Sequence, residues 1–179
     1  YDTKSGGMVF YSAEDGLKAD SIRAVSEGEG GLIYAGTVDG LSVIDNNGTI
    51  RNPEAFSDIA GIRSLTGYED IVCGVTNGGE LFSIKGEELL GILKCDIEGV
   101  DYTCVTLGDR NNMLAGTSDR YIDTLYSDGD VPEVKERYDT GDVSYFNNIW
   151  YDDENKEFFF CAENGLGAVE ENGGIICPL

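Results

Sequence analysis

The sequence predicts an all-β protein, a β-propeller built of about four four-stranded blades. An apolar strand anchor recurs after 40, 40 and 44 residues, and a small-residue landmark and a turn follow it in step. The apolar runs are short and bounded by Gly, Asn and Asp, which is typical of strands. A strand-rich repeat of about 40 residues indicates a propeller blade.

The first blade, predicted over residues 15–52, shows the repeat most completely. Its anchor is Ile22-Arg23-Ala24-Val25, its landmark is Ala35-Gly36-Thr37, and its turn is Asp39-Gly40-Leu41. The blades at 53–94, 95–140 and 141–179 carry later copies of the anchor: Ile62-Arg63-Ser64-Leu65, Tyr102-Thr103-Cys104-Val105 and Phe146-Asn147-Asn148-Ile149. Their landmarks are Cys73-Gly74-Val75, Ala115-Gly116-Thr117 and Cys161-Ala162-Glu163.

Two segments depart from the repeated strand pattern. Residues 1–14 are assigned to a preceding or closing blade, because residues 6–12 resemble a lone strand. Pro53 to Ile59 is the one helix candidate. Since an open arc of blades would expose apolar faces, three arrangements remain open: a closed four-bladed ring, half of a ring completed by a homodimer, or a fragment of a larger propeller with further blades.

The charge excludes several classes of partner. Lys and Arg total 12 against 34 Asp and Glu, a formal net charge of −22. Nucleic-acid binding requires basic groups, and an anionic membrane surface repels such a chain. No apolar run approaches the roughly 20 residues that cross a bilayer. We therefore expect no nucleic acid and no direct membrane contact by this segment.

The absence of histidine limits catalysis and metal binding. With no His in the chain, His-based acid–base chemistry and most catalytic zinc sites are excluded. Asp45-Asn46-Asn47 does not match a calcium loop, and the five cysteines form no CxxC pair. We predict no catalytic residue, no cofactor and no metal, with mostly free cysteines. Glycoside hydrolysis by clustered acids stays as an alternative, at Asp152-Asp153-Glu154, Glu163 and Glu170-Glu171.

The position after each anchor residue is polar in all four copies, although its neighbours are apolar. In a propeller, this register can place a polar ring at one mouth of the central channel. The turns after the second strands would open onto the same face, and aromatic side chains, Tyr145 among them, would add stacking surfaces. The alternative is that these groups satisfy buried backbone or pair with acids between blades. The predicted ligand-binding residues are Arg23, Arg63, Asp39, Asn77, Tyr102, Asp119, Arg120, Asn147, Trp150 and Asn164.

The first blade resembles the two-component-regulator propeller repeat, roughly GLxxNxVxxIxxDxxGxxWxGTxxGL. The matching residues are Gly16-Leu17, the run from Ser21 to Val25, the run from Gly30 to Thr37, and Asp39-Gly40-Leu41. The resemblance implies a non-enzymatic, extracytoplasmic sensor, periplasmic or on the cell surface, in a bacterial membrane-anchored histidine kinase or GGDEF-type protein. It also implies a small-molecule or oligosaccharide ligand, with any output activity residing elsewhere. The alternative is a protein-interaction scaffold without a small-molecule site.

Overall fold

The computed structural model describes residues 7–109, 111–128, 131–152, 154–155, 157–170 and 175–176. These residues form four antiparallel sheets of four strands, each a meander in chain order. The prediction of an all-β propeller with four blades is confirmed. The strands are β1 (Ile22–Glu27), β2 (Ile33–Thr37), β3 (Gly40–Ile44), β4 (Ile50–Arg51), β5 (Ile62–Tyr68), β6 (Ile71–Thr76), β7 (Leu81–Lys85), β8 (Glu88–Leu93), β9 (Tyr102–Leu107), β10 (Asn112–Thr117), β11 (Tyr121–Tyr126), β12 (Glu133–Asp139), β13 (Phe146–Asp152), β14 (Glu157–Ala162), β15 (Gly165–Glu170) and β16 (Ile175–Ile176).

Threonine hydroxyls fix the hairpins between the second and third strands of the first three blades. Thr37 Oγ1 donates to the Gly40 carbonyl (3.0 Å), and Thr117 Oγ1 donates to the Tyr121 carbonyl (2.8 Å). Thr76 Oγ1 accepts a hydrogen bond from the Glu80 amide (3.2 Å). All three threonines are buried, so each hydroxyl needs such a partner. The threonine at the end of the landmark therefore serves to stabilise the turn that follows it.

Strand pairing corrects the alignment of the landmark in the second and fourth blades. The anchor residues Ile22, Ile62, Tyr102 and Phe146 pair with Thr37, Thr76, Thr117 and Ala162. The structural equivalents of Gly36 and Gly116 are therefore Val75 and Cys161, one residue away from the sequence alignment. The difference matters because a slip of one residue exchanges the two faces of a strand.

Each blade packs onto the next through one apolar cluster. At the first and third joints, the anchor residue of the following blade lies against a glycine of the preceding one. A Cβ added to Gly36 would lie 2.5 Å from Ile62 Cγ2, and one added to Gly116 would lie 2.5 Å from Phe146 Cβ. The second joint is built around Tyr102, with Val75 in the same cluster. Ile62, Tyr102 and Phe146, the anchors at these three joints, are fully buried, and burying an apolar side chain of this size contributes about 1.5–3 kcal/mol.

The helix and strand expectations outside the repeat need correction. Residues 7–12 form no strand, and Met8, Val9 and Phe10 are exposed. The helix predicted from Pro53 to Ile59 is one 3₁₀ turn, Glu54–Phe56, whose Phe56 is buried in the first joint. Further 3₁₀ turns span Ala13–Asp15 and Glu29–Gly31. Within the described ranges, no helix is long and apolar enough to cross a membrane.

Candidate functional site

A β-bulge interrupts the pairing of the first and second strands at the same position in every blade. The extra residue at the four bulges is Arg23, Arg63, Thr103 or Asn147. A bulged residue has no direct cross-strand partner, and the local kink can re-aim its side chain. These are the four residues whose polarity stands out in the sequence, and the bulge supplies the structural reason for that polarity.

The four bulged residues line a single cavity of about 360 Å³ between the first strands of all four blades. Ser64, Tyr145, Phe146 and Asn148 are also among the lining residues. Small-ligand sites usually measure about 300–1,000 Å³, so the cavity can hold a ligand of sugar size. Its mouth is polar because the lining combines guanidinium, amide and hydroxyl groups.

The two arginines of the cavity differ from the other arginines that the structure describes. Arg51, Arg120 and Arg137 each form an ion pair with an aspartate. In the part of the chain that the structure describes, no carboxylate lies within ion-pair distance of Arg23 or Arg63. The alternative that both are sealed against acids between blades therefore finds no support in the described residues.

Arg63 is instead held from across the channel by Tyr145. Its Nη2 donates a hydrogen bond to the Tyr145 hydroxyl, and its Cζ lies 5.5 Å from the centroid of the Tyr145 ring. Tyr145 has a φ of 53°, in the left-handed region that non-glycine residues rarely occupy. The loop before β13 thus holds the Tyr145 ring against the Arg63 guanidinium at the cavity. To do so, Tyr145 adopts an unfavourable backbone conformation.

Thr103 has a different task from the other bulged residues. It is buried, and its Oγ1 lies 2.6 Å from the Phe146 carbonyl oxygen and 3.1 Å from the Gly116 carbonyl oxygen. A hydroxyl has one proton to donate, so this group is committed to backbone at the joint between the third and fourth blades. The other three bulged residues, Arg23, Arg63 and Asn147, are exposed at the cavity.

The turns after the second strands lie beside the start of the first strands. Backbone amides of these turns bond carbonyls that precede the anchors, as from Val38 to Ser21 (3.1 Å) and from Ser118 to Asp101 (2.8 Å). The turns therefore sit at the same end of each blade as the bulges. Five residues of these turns were predicted to bind ligand, and none of the five lines the cavity: Asp39, Asn77, Asp119, Arg120 and Asn164.

The side chains of two of these turn residues, Arg120 and Asn164, bind other parts of the protein. Arg120 Nε lies 3.1 Å from Asp139 Oδ1, and its guanidinium stacks on Tyr121. Asn164 accepts a hydrogen bond from the Ser144 amide (3.0 Å) and donates one to the Asp142 carbonyl. Asn164 thereby fixes the loop that presents Tyr145.

The three aromatic candidates, Tyr102, Trp150 and Tyr145, lie in different environments. Tyr102 is fully buried, and its hydroxyl donates to Asp123 Oδ2 (2.9 Å), so the ring belongs to the core rather than to the channel. Trp150 is 60% exposed, beside Phe159 with 5.9 Å between ring centroids. Of the aromatic residues considered as stacking surfaces, Tyr145 is the one that lines the cavity. Asn148, which sequence reasoning missed, also lines it; the polar pair Asn147-Asn148 inside an apolar strand was the available signal.

The remaining reactive groups behave as structural groups. Cys73, Cys95, Cys104 and Cys161 are free, as expected, and Cys177 lies outside the described residues. Burial raises the pKa of the Cys73 and Cys104 thiols to about 12, which keeps them protonated and unreactive. No metal-binding cluster occurs among the described residues.

The described carboxylates of the acidic clusters lie outside the cavity. Asp152 caps its own turn by accepting hydrogen bonds from the Glu154 and Asn155 amides, at 3.0 and 3.3 Å. The pKa of the Asp152 carboxyl is lowered. The main cause is the hydrogen bond from the Asn155 side chain, and the two backbone amides contribute less. Neither Asp152 nor Glu163 lines the cavity. Asp153, Glu171 and the side chain of Glu170 lie outside the described residues.

Comparison with known proteins identifies the class of fold, a β-propeller. The dihydro-heme d1 dehydrogenase NirN, solved in complex with DHE, superposes with a TM-score of 0.68 at 14% identity. Virginiamycin B lyase from Staphylococcus aureus superposes with a TM-score of 0.66 at 17% identity. Each match covers 87% of this chain, but only 36% and 54% of the respective neighbour. No protein-family model and no curated protein sequence matches the chain. The likeness therefore shows the fold, while the two-component-regulator repeat family is not confirmed.

These neighbours overturn one expectation. The prediction that the chain is not an enzyme is wrong as an inference from its fold, because two proteins that share the fold are a dehydrogenase and a lyase. A propeller scaffold hosts catalysis as well as binding, since function depends on the residues placed on a fold.

Proposed function

We propose that this chain is a ligand-binding propeller whose channel mouth accepts a small ligand carrying a carboxylate, with acidic sugars as the favoured class. The observation that carries the proposal is the pair Arg23 and Arg63. Bulges place both at one cavity, and neither has a carboxylate partner among the described residues. In a chain with 34 acidic residues, two such arginines at one cavity form a local site for an anion.

The chemistry of the lining supports a ligand that is both anionic and hydroxylated. Guanidinium groups bind carboxylates through paired hydrogen bonds of fixed geometry. The side-chain amide of Asn147 offers donors and an acceptor for hydroxyl groups. The overall charge of −22 repels large polyanions at long range, so a ligand with a single carboxylate fits better than a highly charged chain.

We extend the proposal to the sensing part of an extracytoplasmic signal-transduction protein. The support is the resemblance of the first blade to the two-component-regulator propeller repeat. Protease treatment of intact cells that produce the full-length protein tests the location: an extracytoplasmic propeller should be cleaved without lysis, whereas cleavage only after lysis would contradict this extension and leave the ligand site untouched.

The binding proposal is tested by titration calorimetry with glucuronate and galacturonate, against glucose and galactose as neutral counterparts. We expect the uronates to bind more tightly than the neutral sugars. Arg63→Gln and Arg23→Gln should each weaken uronate binding by about tenfold or more, as for the loss of a charge-assisted hydrogen bond of about 1.5–3 kcal/mol. Arg51→Gln is the matched control, because Arg51 is ion-paired on the outer strand β4.

Two outcomes would contradict the binding proposal. Equal affinity for uronates and neutral sugars would remove the role of the arginines. Absence of binding and of any thermal stabilisation at saturating ligand would favour the scaffold alternative, because a ligand that binds the native state must raise its stability.

A further inference from the structure

The joints between successive blades share one construction. The first residue of the following blade's inner strand, Ile62, Tyr102 or Phe146, is fully buried at its joint. At the first and third joints it lies against Gly36 or Gly116, and at the second it shares a cluster with Val75. Since Gly36, Val75 and Gly116 hold one register position, each joint combines an inserted anchor with an apolar receiving face.

Among the residues that the structure describes, the anchor of the first blade meets no receiving face. Ile22 has the register of the three buried anchors but is 39% exposed, and Val25 on the same strand is 60% exposed. Ile62, which holds the same position in a completed joint, is fully buried. The outer side of the first blade is therefore half of a joint.

The fourth blade carries a receiving face that holds no anchor from the described part of the chain. Cys161 has the register of Gly36 and Gly116, and Leu166 lies opposite it on β15. Trp150 lies opposite Phe159 on the same face, so the face is apolar across three strands. Trp150 is 60%, Leu166 56% and Phe159 39% exposed. The opposite face of this blade, with Phe158 and Phe160, packs against the third blade.

The two halves stay apart within one molecule, although both blades border the same cavity. We propose that a second copy of this chain completes them: the fourth blade of each copy receives the first blade of the other. The result is a two-chain propeller of eight blades with two identical head-to-tail joints. Head-to-tail contacts form a closed ring when their rotation closes.

The repeated construction of the joints indicates that the first blade of a second copy covers the exposed face of the fourth blade. Ile22 would pack beside Cys161 of the other copy as Tyr102 packs in one cluster with Val75 at the second joint. Exposed apolar patches of this kind mark interaction sites on soluble proteins, and the patch on the fourth blade consists of uncharged side chains. The opposing term is the repulsion between two chains that each carry −22. Salt screens that repulsion, so association should strengthen as the salt concentration rises.

Sedimentation equilibrium and light scattering of the purified chain at 0.05 M and 0.5 M NaCl provide the first test. We expect a particle of twice the chain mass of 19.3 kDa, with a lower dissociation constant at the higher salt concentration. A monomer at about 100 μM in both salts would overturn the proposal. Open polymers of increasing size would overturn the closed two-chain ring.

Charge substitutions on the two faces test the head-to-tail geometry. Val25→Glu and Leu166→Glu each place a charge in both joints, so each variant alone should be monomeric. A mixture of the two should recover dimers, because one joint of the mixed pair then combines two unchanged faces. A Val25→Glu chain that still dimerises alone would overturn the proposed joint. Val134→Glu, which charges a 38% exposed valine on β12, is the matched control and should dimerise normally.

A fold check keeps these results interpretable. Circular dichroism and urea unfolding should show each variant folded, since the substituted side chains are exposed in the single chain. If Leu166→Glu does not fold, Trp150→Glu replaces it on the same face, with the same expectation. The ligand titrations above do not depend on this outcome, because Arg23, Arg63 and the other residues that line the cavity all belong to one chain.

Discussion

The guanidinium of Arg137 donates two hydrogen bonds to the buried carboxylate of Asp123, from Nε to Oδ1 at 2.6 Å and from Nη2 to Oδ2 at 2.7 Å. Asp123 is fully buried on β11, and its Oδ2 also accepts the Tyr102 hydroxyl. Arg137 reaches Asp96 as well, at 2.7 Å. This network joins three strands of the third blade to the loop that follows the second blade.

Removing the arginine should therefore be costly. Arg137→Met leaves Asp123 buried without its counter-charge, and we expect the free energy of unfolding to fall by about 3–5 kcal/mol. Urea unfolding measures the change. Lys135→Met on the same strand is the control, because its ion pair with Glu133 is exposed and should contribute less than about 1 kcal/mol. Equal losses in the two variants would contradict the importance of the buried pair.

The interblade glycines should not tolerate a methyl group. Gly36→Ala places a Cβ 2.5 Å from Ile62 Cγ2, and such overpacking costs about 1–3 kcal/mol. Thermal unfolding should show a clear loss for this variant. Gly78→Ala, whose added Cβ would meet only Thr76 Oγ1 at 3.6 Å, should be nearly neutral. If both variants melt like the wild type, the close approach at the first joint is not rigid.

The hydroxyl of Thr103 should stabilise the joint between the third and fourth blades. Thr103→Val keeps the shape of the side chain but leaves the Phe146 carbonyl, 2.6 Å from the hydroxyl, without this donor. Loss of a buried partner costs about 1–3 kcal/mol, measured as a lower urea midpoint. Thr124→Val removes a longer and more exposed hydrogen bond, 3.4 Å from the Thr124 hydroxyl to the Glu136 carbonyl, and should change stability by less than about 0.5 kcal/mol.

Stability should decline at alkaline pH. Burial raises the pKa of the Cys73 and Cys104 thiols from 9.0 to about 12, and it is also the main cause of the rise in the Tyr34 pKa from 10.0 to about 12. Above pH 9 the unfolded chain therefore releases protons that the folded chain retains. The stabilising contribution is complete below pH 9 and is lost as the pH rises towards 12.

Urea unfolding between pH 8 and 10.5 measures this decline, and each such thiol should contribute about 1.4 kcal/mol per pH unit above pH 9. Cys73→Ala should be less stable at pH 7 because of the cavity it leaves, yet lose stability less steeply as the pH rises. An unchanged slope in this variant would show that Cys73 does not titrate on unfolding.

The fold could be predicted because its signals are local. Strand length, Gly and Asn punctuation and the repeat interval are all properties of neighbouring residues, and they led to four four-stranded blades. The landmark in the second and fourth copies was misaligned by one residue, because Gly74 and Val75 both fit the pattern and the register is set by pairing with β5. Residues 7–12 have strand composition but form no strand, since a strand also needs a partner.

The candidate site could be predicted only in part. The sequence by itself determined that one polar residue follows each anchor, Arg23 and Arg63 among them, because that pattern is local. The tertiary structure alone decided that Tyr102 belongs to the core and that Tyr145 holds Arg63 across the channel. Contacts between residues 82 positions apart depend on how blades are stacked and where bulges turn side chains, and no local pattern encodes that geometry.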